Sequence, residues 1–252
     1  MVLAMLMAVP AFADEAAQKL LDCMRSNIPP TLRIQEVELT ATDRSKGERV
    51  LKGRLFAMRE NELVRAVLRI AEPVDLKGAA YLLKETEGDH GDDMYMFLPA
   101  VNRVRRIAGA SADSALLGTD FSYNDIKQLQ NAFGGSEVKL EKPETIDQHP
   151  VTVALLTPKP GTSSRYSRIR AWVDQKSCVA LKVDFYEGDA ARKELTAPAA
   201  SLSKDANYWY VSEATMRDLK EGTQTRLKVV GVTSGAEMPT RLFDPHSFYL
   251  GN

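Results

Sequence analysis

The sequence predicts a mainly β protein with antiparallel strands, one helix near the N-terminus and another in mid-chain. Three observations carry that expectation. Apolar and polar residues alternate with a period of two over most of the chain, as in strands with one face to a core and the other to water. Glycine-containing polar turns at 45–47, 87–89, 187–189 and 221–222 separate several of these runs. Helical spacing is confined to two short segments.

The first thirteen residues, Met1 to Ala13, carry no charge, and their apolar run closes on Ala11-Phe12-Ala13. This has the form of the hydrophobic stretch and cleavage site of a secretory signal. Cleavage between Ala13 and Asp14 leaves residues 14–252 as one domain. The run is too short to cross a bilayer, which takes about 20 apolar residues. No Lys or Arg precedes it, as one usually does in such signals, and a buried helix is the alternative. From 14 to about 25 the spacing is helical: Asp14 is placed to cap, and Ala17, Leu20, Leu21 and Met24 share a face. Pro29-Pro30 ends the segment. Strands are then expected over 32–42, 48–58, 63–70, 79–85, 94–98, 137–140, 151–157, 166–173, 179–186, 208–216 and 225–232. The internal helix is expected over 124–133, closed by Gly134-Gly135. The polar stretches 158–164 and 187–193 read as loops.

Composition narrows the function by exclusion. A formal net charge of −1 supplies no sequence-independent attraction to nucleic acid. Apolar residues at 44% and charged residues at 27% exclude a disordered chain and a multi-span membrane protein. Three histidines leave little room for a His-rich metal site. His149 precedes Pro150 and His246 follows Pro245, and both read as loop residues without a chemical partner. The acidic stretch Asp89-His90-Gly91-Asp92-Asp93 has oxygen ligands suited to calcium, but its spacing matches no calcium loop, so it reads as a hairpin turn. No Walker loop, dinucleotide fingerprint, zinc-protease motif or nucleophile elbow is present, and neither an enzyme nor a cofactor is expected.

Cys23 and Cys178 lie 155 positions apart, and an even pair in an exported protein invites a disulfide. Two buried free thiols are the alternative. Cys23 sits ten residues beyond the expected cut and so is not a lipidation cysteine.

A large antiparallel sheet cannot be covered by one helix. It must fold on itself, close into a barrel, or leave a concave apolar surface for something else. An outer-membrane barrel is a competing reading, but the final residues Phe248-Tyr249-Leu250-Gly251-Asn252 lack the usual terminal aromatic.

The most distinctive segment runs from Asp92 to Ile126. It contains Asp-Asp-Met-Tyr-Met-Phe-Leu-Pro-Ala-Val-Asn-Arg-Val-Arg-Arg-Ile and, later, Leu117-Gly118-Thr119-Asp120-Phe121-Ser122-Tyr123-Asn124-Asp125-Ile126. This segment resembles the outer-membrane lipoprotein-sorting proteins, relatives of the periplasmic carrier LolA. Leu51-Lys52-Gly53-Arg54-Leu55, Arg170-Ala171-Trp172-Val173-Asp174, and Leu242-Phe243-Asp244-Pro245 with Phe248-Tyr249 extend the resemblance over the mature chain.

The resemblance implies a curved, unclosed antiparallel β-half-barrel with helices covering its concave mouth. It implies a periplasmic carrier that holds a lipid, or the acyl chains of a lipoprotein, in an apolar cavity. Cargo would pass between inner and outer membrane, with an inner-membrane exporter and an outer-membrane acceptor as partners. A lipid- or lipoprotein-sensing adaptor of the envelope is the alternative. Candidate cavity residues are Met58, Val64, Leu68, Ile70, Met94, Met96 and Leu98, the methionines because thioethers adapt to mobile chains. Plain core packing is the competing role for each. Arg103, Arg105 and Arg106 are candidates for an anionic headgroup or acidic partner. The alternative for them is a solvated strand face, or pairing with acids such as Asp120 and Asp125. The stretch 113–120 reads either as a gate hinged on Gly118 or as a static turn.

Overall fold

Strands with one apolar face must pair and curl to hide it, and here all but one two-stranded hairpin join a single antiparallel sheet. The computed structural model describes residues 10–86, 92–130, 133, 136–159, 164–239 and 241–250. Its strands are β1 (Leu32–Thr42), β2 (Glu48–Glu60), β3 (Leu63–Glu72), β4 (Ala80–Lys84), β5 (Asp93–Leu98), β6 (Arg103–Ile107), β7 (Ser136–Leu140) and β8 (Glu144–Ile146). There follow β9 (His149–Pro158), β10 (Arg168–Asp174), β11 (Ala180–Glu187), β12 (Ala190–Thr196), β13 (Leu202–Asp205), β14 (Tyr208–Val211), β15 (Glu213–Asp218) and β16 (Thr223–Ala236). The helices are α1 (Pro10–Ser26) and α2 (Tyr123–Gln130).

The sheet runs in the order β6-β5-β4-β3-β2-β1-β16-β15-β12-β11-β10-β9-β7, with β8 on β9. β6 and β7 end it without pairing to each other, so the curved sheet stays open. Curvature comes from register shifts, which bend a strand and increase its twist. They fall at Leu32/Arg33 and Glu36/Val37 in β1, Lys52/Gly53 in β2, Trp172/Val173 in β10 and Phe185/Tyr186 in β11. At Gly53 the shift brings β3 so close that a Cβ would clash with the Arg69 carbonyl oxygen. Only glycine fits there. Asn61 and Glu62, at φ 50° and 64°, make the tight turn that joins β2 to β3.

The two faces of the sheet are covered differently. On the concave face the inward rows of β1 to β5 and β9 to β12 form the main core, with Leu20, Leu21 and Met24 of α1 and Ile126 and Leu129 of α2 packed on it. The apolar face expected for the first helix is the face it buries. On the convex face, the C-terminal segment lays Leu242, Phe243, Phe248 and Tyr249 over Leu32, Phe56, Val67, Leu82 and Phe97. Tyr249 stacks on Phe97 at 3.9 Å between ring centroids, and Arg69 Nε donates to the Phe248 carbonyl at 2.7 Å. Trp172 anchors a third cluster with Val151, Val153 and Leu181, its Nε1 donating to Glu144 at 2.9 Å.

Several sequence expectations shift. The first helix extends back to Pro10 in the described residues, because Ala11 and Ala13 are strong helix formers, and Asp14 is an interior position. Residues 1–9 lie outside the described residues, as do 87–91 and the Gly134-Gly135 closure. The expected loop over 187–193 contains most of β12, a strand hidden from a pattern search by its charged run Arg192-Lys193-Glu194. The expected strand over 208–216 is two strands. Ser212 N donates to the Ser201 carbonyl, turning the chain from the separate β13–β14 hairpin into β15. His149 has a partner after all: it opens β9, and its Nδ1 lies 2.9 Å from Asp174 Oδ1. Burial raises the Asp174 pKa, but hydrogen bonds from Ser177 and the contact with His149 outweigh it and hold the carboxyl below its ordinary value.

That Asp174 turn presents Cys178, which is bridged to Cys23 with a Cα–Cα distance of 5.7 Å. The bridge ties the end of α1 to the loop between β10 and β11.

Two outcomes follow for stability. Gly53→Ala should lower the unfolding free energy by about 1–3 kcal/mol, the range for overpacking. It should read as a lower urea midpoint at unchanged slope; a wild-type midpoint would mean β2 and β3 separate there freely. Replacing Cys23 and Cys178 together by Ser should cost about 2–4 kcal/mol under oxidising conditions. The loss should vanish when both proteins are compared in reductant.

Candidate functional site

The concave core is not solid. Between the sheet and its covers lies a cavity of about 240 Å³. Its floor is the inward row of five adjacent strands: Val37 and Leu39 of β1, Leu55 of β2, Ala66 and Leu68 of β3, Leu227 and Val229 of β16, Ala214 of β15. Its roof comes from three separate pieces. Met24 and Ile28 come from the end of α1, Ile126 and Leu129 with Phe133 from α2 and its exit, and Trp209, Tyr210 and Val211 from the hairpin. The lining is overwhelmingly apolar, so the space favours hydrocarbon over water.

One end differs. Arg33 and Gln35 continue the inward row of β1 beyond Val37 and Leu39, and both are buried at 7% exposure. Arg33 Nη1 donates to the Asn27 carbonyl at 3.2 Å, while its Nε is buried without a partner. Burial lowers its pKa; Asp205, Tyr210 and Tyr208 of the hairpin push the other way.

Asn27 holds this end together. Its Nδ2 donates to the Ser177 carbonyl at 2.8 Å, and its Oδ1 accepts the Trp209 amide at 2.9 Å. With Arg33 on its carbonyl, one residue joins the end of α1 to β1, the hairpin and the loop carrying Cys178.

The other side of the roof is fixed by a buried charge pair. Ser122 and Asp125 form a reciprocal cap at the start of α2: Asp125 N donates to Ser122 Oγ and Ser122 N to Asp125 Oδ2. Asp125 is fully buried, and also accepts from Tyr166 OH and Lys193 Nζ, both at 2.7 Å. Burial and the Asp125 carboxylate both push the Tyr166 phenol far above its ordinary pKa, so it stays a donor. Asp120 is held in turn by the Thr225 hydroxyl at 2.6 Å and by Thr223. The 113–120 stretch is therefore an anchored turn, and Leu116 just inside it lines the cavity.

Of the residues selected from sequence, Leu68 lines the cavity. Ile70, Met94, Met96 and Leu98 belong to the same concave apolar cluster, toward the β5–β6 end of the sheet. Val64 is fully buried and Met58 half-buried, and neither lines the cavity. Arg103, Arg105 and Arg106 stand exposed on the edge strand β6, and among the described residues only Arg106 meets a carboxylate, Asp93, at 2.8 Å. Asp120 and Asp125, weighed as their partners, are bound to threonines and Lys193 instead. Sequence reasoning missed Arg33, Asn27 and the hairpin. Period-two counting back from Leu39 and Val37 does reach Gln35 and Arg33, and that was the available signal.

Next to the anchored turn lies a polar cleft of about 620 Å³ that includes Arg49, Arg165, Arg192 and Lys193. Its cations are paired, with Asp75, Glu187, Asp218 and Asp125 respectively. Among the described residues no group of three or more His, Cys, Asp or Glu is placed to hold a metal ion. No helix of the described residues is long and apolar enough to cross a membrane.

Comparison with known proteins fits this geometry. A family model described as "uncharacterized protein" matches residues 62–248. The chain belongs to that family, and its fold is LolA-like. A DUF1329 family protein from Desulfovibrio piger superposes with a TM-score of 0.84 at 22% identity, covering 92% of this chain and 97% of that one. An outer membrane lipoprotein-sorting protein domain from Vibrio parahaemolyticus gives 0.84 at 20% identity, covering 94% and 99%. A LolA superfamily protein from Nitrosomonas europaea gives 0.69 at 21% identity, covering 90% and 96%. No curated protein matches the sequence. The resemblance read from residues 92–126 and the open, curved sheet it implied are both borne out.

Because Asp125 is fully buried, Lys193→Met should strand its charge and cost about 3–5 kcal/mol, the range for breaking a buried pair. Urea unfolding measures it, and exchanging Lys193 and Asp125 together for Met and Leu should cost less than the single change. A double loss equal to the sum of the two single losses would mean the pair is not coupled.

Proposed function

We propose that the chain is a periplasmic carrier that takes a lipid, or the acyl chains of a lipoprotein, into the concave cavity and delivers it across the envelope. The observation that carries this reading is the partly open apolar space between the unclosed sheet and a roof made of three separable pieces. Hydrocarbon held there needs no specific chemistry, since each CH₂ removed from water contributes about 0.8 kcal/mol. A ten-carbon stretch would gain on the order of 8 kcal/mol before ordering costs.

The cavity is below the usual range of about 300–1,000 Å³ for small-molecule sites. A long chain therefore enters by displacing part of the roof. The hairpin is the piece most readily moved, since β13 and β14 pair only with each other. Ile70, Met94, Met96 and Leu98 extend the apolar floor toward the β6 edge, where a longer chain would continue. The exposed Arg103 and Arg105 at that edge suit an acidic surface on an exporter or acceptor.

Export fits the N-terminus. A cut between Ala13 and Asp14 would trim α1 yet leave Ala17, Leu20, Leu21 and Met24 on the core, and residues 14–252 as one carrier domain. A disulfide belongs in an oxidising compartment. The carrier role asks for no nucleophile, metal or cofactor.

Protein purified from its native envelope should release lipid on extraction, detected by mass spectrometry against an unrelated exported protein. Val229→Trp, which fills the cavity from a half-buried position, should weaken uptake of a fluorescent acyl probe at least tenfold. No bound lipid together with no uptake by the wild type would overturn the carrier reading.

A further inference from the structure

We infer that the cavity's cargo is an amphiphile with a single anionic group, a carboxylate or a phosphate, whose charge is received by Arg33 while its hydrocarbon lies over Val37, Leu39 and Leu68. The inference rests on the carrier reading and narrows it to a class of ligand.

Arg33 is 93% buried by its 7% exposure, stands at one end of an otherwise apolar space, and keeps a buried Nε–H without an acceptor. Among the described residues no carboxylate stands within ion-pair distance of it: Asp205 of the hairpin acts on it only from farther off and is itself bound by the Ser234 hydroxyl, and the side chain's one hydrogen bond is to the neutral Asn27 carbonyl. A guanidinium cannot shed its charge at neutral pH, and buried charges normally persist only when paired. Among the described residues the other buried cations obey that rule: Lys193 has Asp125, and Arg192, whose Nε also lacks a hydrogen-bond partner, has the Asp218 carboxylate on its Nη1. Arg33 departs from it at the polar end of the cavity. A cation without a carboxylate in direct contact there is complementary to an anion that arrives with the ligand, and its planar donor fork matches carboxylate and phosphate alike.

The position fits the shape of such a molecule. Arg33, Gln35, Val37 and Leu39 stand in one inward row of β1, so a headgroup at Arg33 places its chain directly along the apolar floor. The hairpin lies over the same end, with Tyr210 and Trp209 in the lining. The acylated end of a lipoprotein, which has ester and amide groups but no anion, leaves this arginine unmet.

Matched ligands test the inference on the wild-type protein. Affinities at pH 8 are compared for 1-palmitoyl lysophosphatidate against 1-palmitoylglycerol, and for palmitate against hexadecanol, with inorganic phosphate alone as the free-anion arm. Each anionic amphiphile should bind at least tenfold tighter than its neutral counterpart, and phosphate alone should not compete at concentrations where the amphiphiles saturate. Arg33→Met should bring both ratios close to one, Arg33→Lys should retain part of them, and Val229→Trp should weaken all four amphiphiles without changing the ratios. Thermal melts check that each variant is folded. Equal binding of charged and neutral ligands by the wild type overturns the inference and leaves the carrier reading standing. A folded Arg33→Met that keeps the preference overturns it too, as does phosphate competing at amphiphile concentrations. Binding of none of the four amphiphiles overturns both readings.

Discussion

The constraint on which this structure depends is that its unclosed sheet is apolar over the concave face and over part of the convex one, with no barrel closure to hide either. Each of these surfaces has its own cover, drawn from different parts of the chain. The C-terminal segment seals the convex side with aromatic side chains in close contact, Tyr249 flat on Phe97 and Phe248 fully buried. The concave side is covered by α1, α2 and the β13–β14 hairpin, three pieces that meet around a gap. A dense cover on one face and a segmented one on the other divides support from binding within a single sheet.

Charge is used in the same divided way. At the α2 side, Asp125 and Lys193 are buried together and bound to Tyr166, Ser122 and the Asp120 carbonyl, so that nearly every polar atom has a partner. Such a network fixes one geometry. At the α1 side, Arg33 is buried with less than it needs. The contrast between a satisfied and an unsatisfied buried cation, on two strands of one sheet, separates the part of the roof that is bolted down from the part that awaits something.

Much of this was legible in the sequence, and the illegible parts have physical reasons. The alternation in Leu51-Lys52-Gly53-Arg54-Leu55 shows a half-buried strand directly, and Ala17, Leu20, Leu21 and Met24 show a docked helix. The cysteine pairing could be anticipated from count and compartment. β12 was hidden because its buried face contains Arg192 and Lys193, residues that belong inside only when distant Asp218 and Asp125 come to meet them. The split of 208–216 was hidden because Tyr-Trp-Tyr-Val and the residues after Ser212 share one strand propensity, and the turn lies in hydrogen bonds to Ser201. The cavity's location was hidden because its lining draws on α1, both halves of the sheet and the hairpin. Local pattern finds which face is apolar, but not where a cover fails to fill it.

The bridge between Cys23 and Cys178 has a mechanical meaning. Cys23 lies close to the end of α1, and Arg25 two residues on is ion-paired to Glu85 at 2.7 Å. A rigid rod fastened at one end cannot slide; it can only pivot. Whatever lifts α1 from the sheet must swing its N-terminal end through the wide arc, while Met24 and Asn27, near the fulcrum, barely travel. The helix is thus a lever whose short arm stays over the polar end of the cavity and whose long arm sweeps away from it.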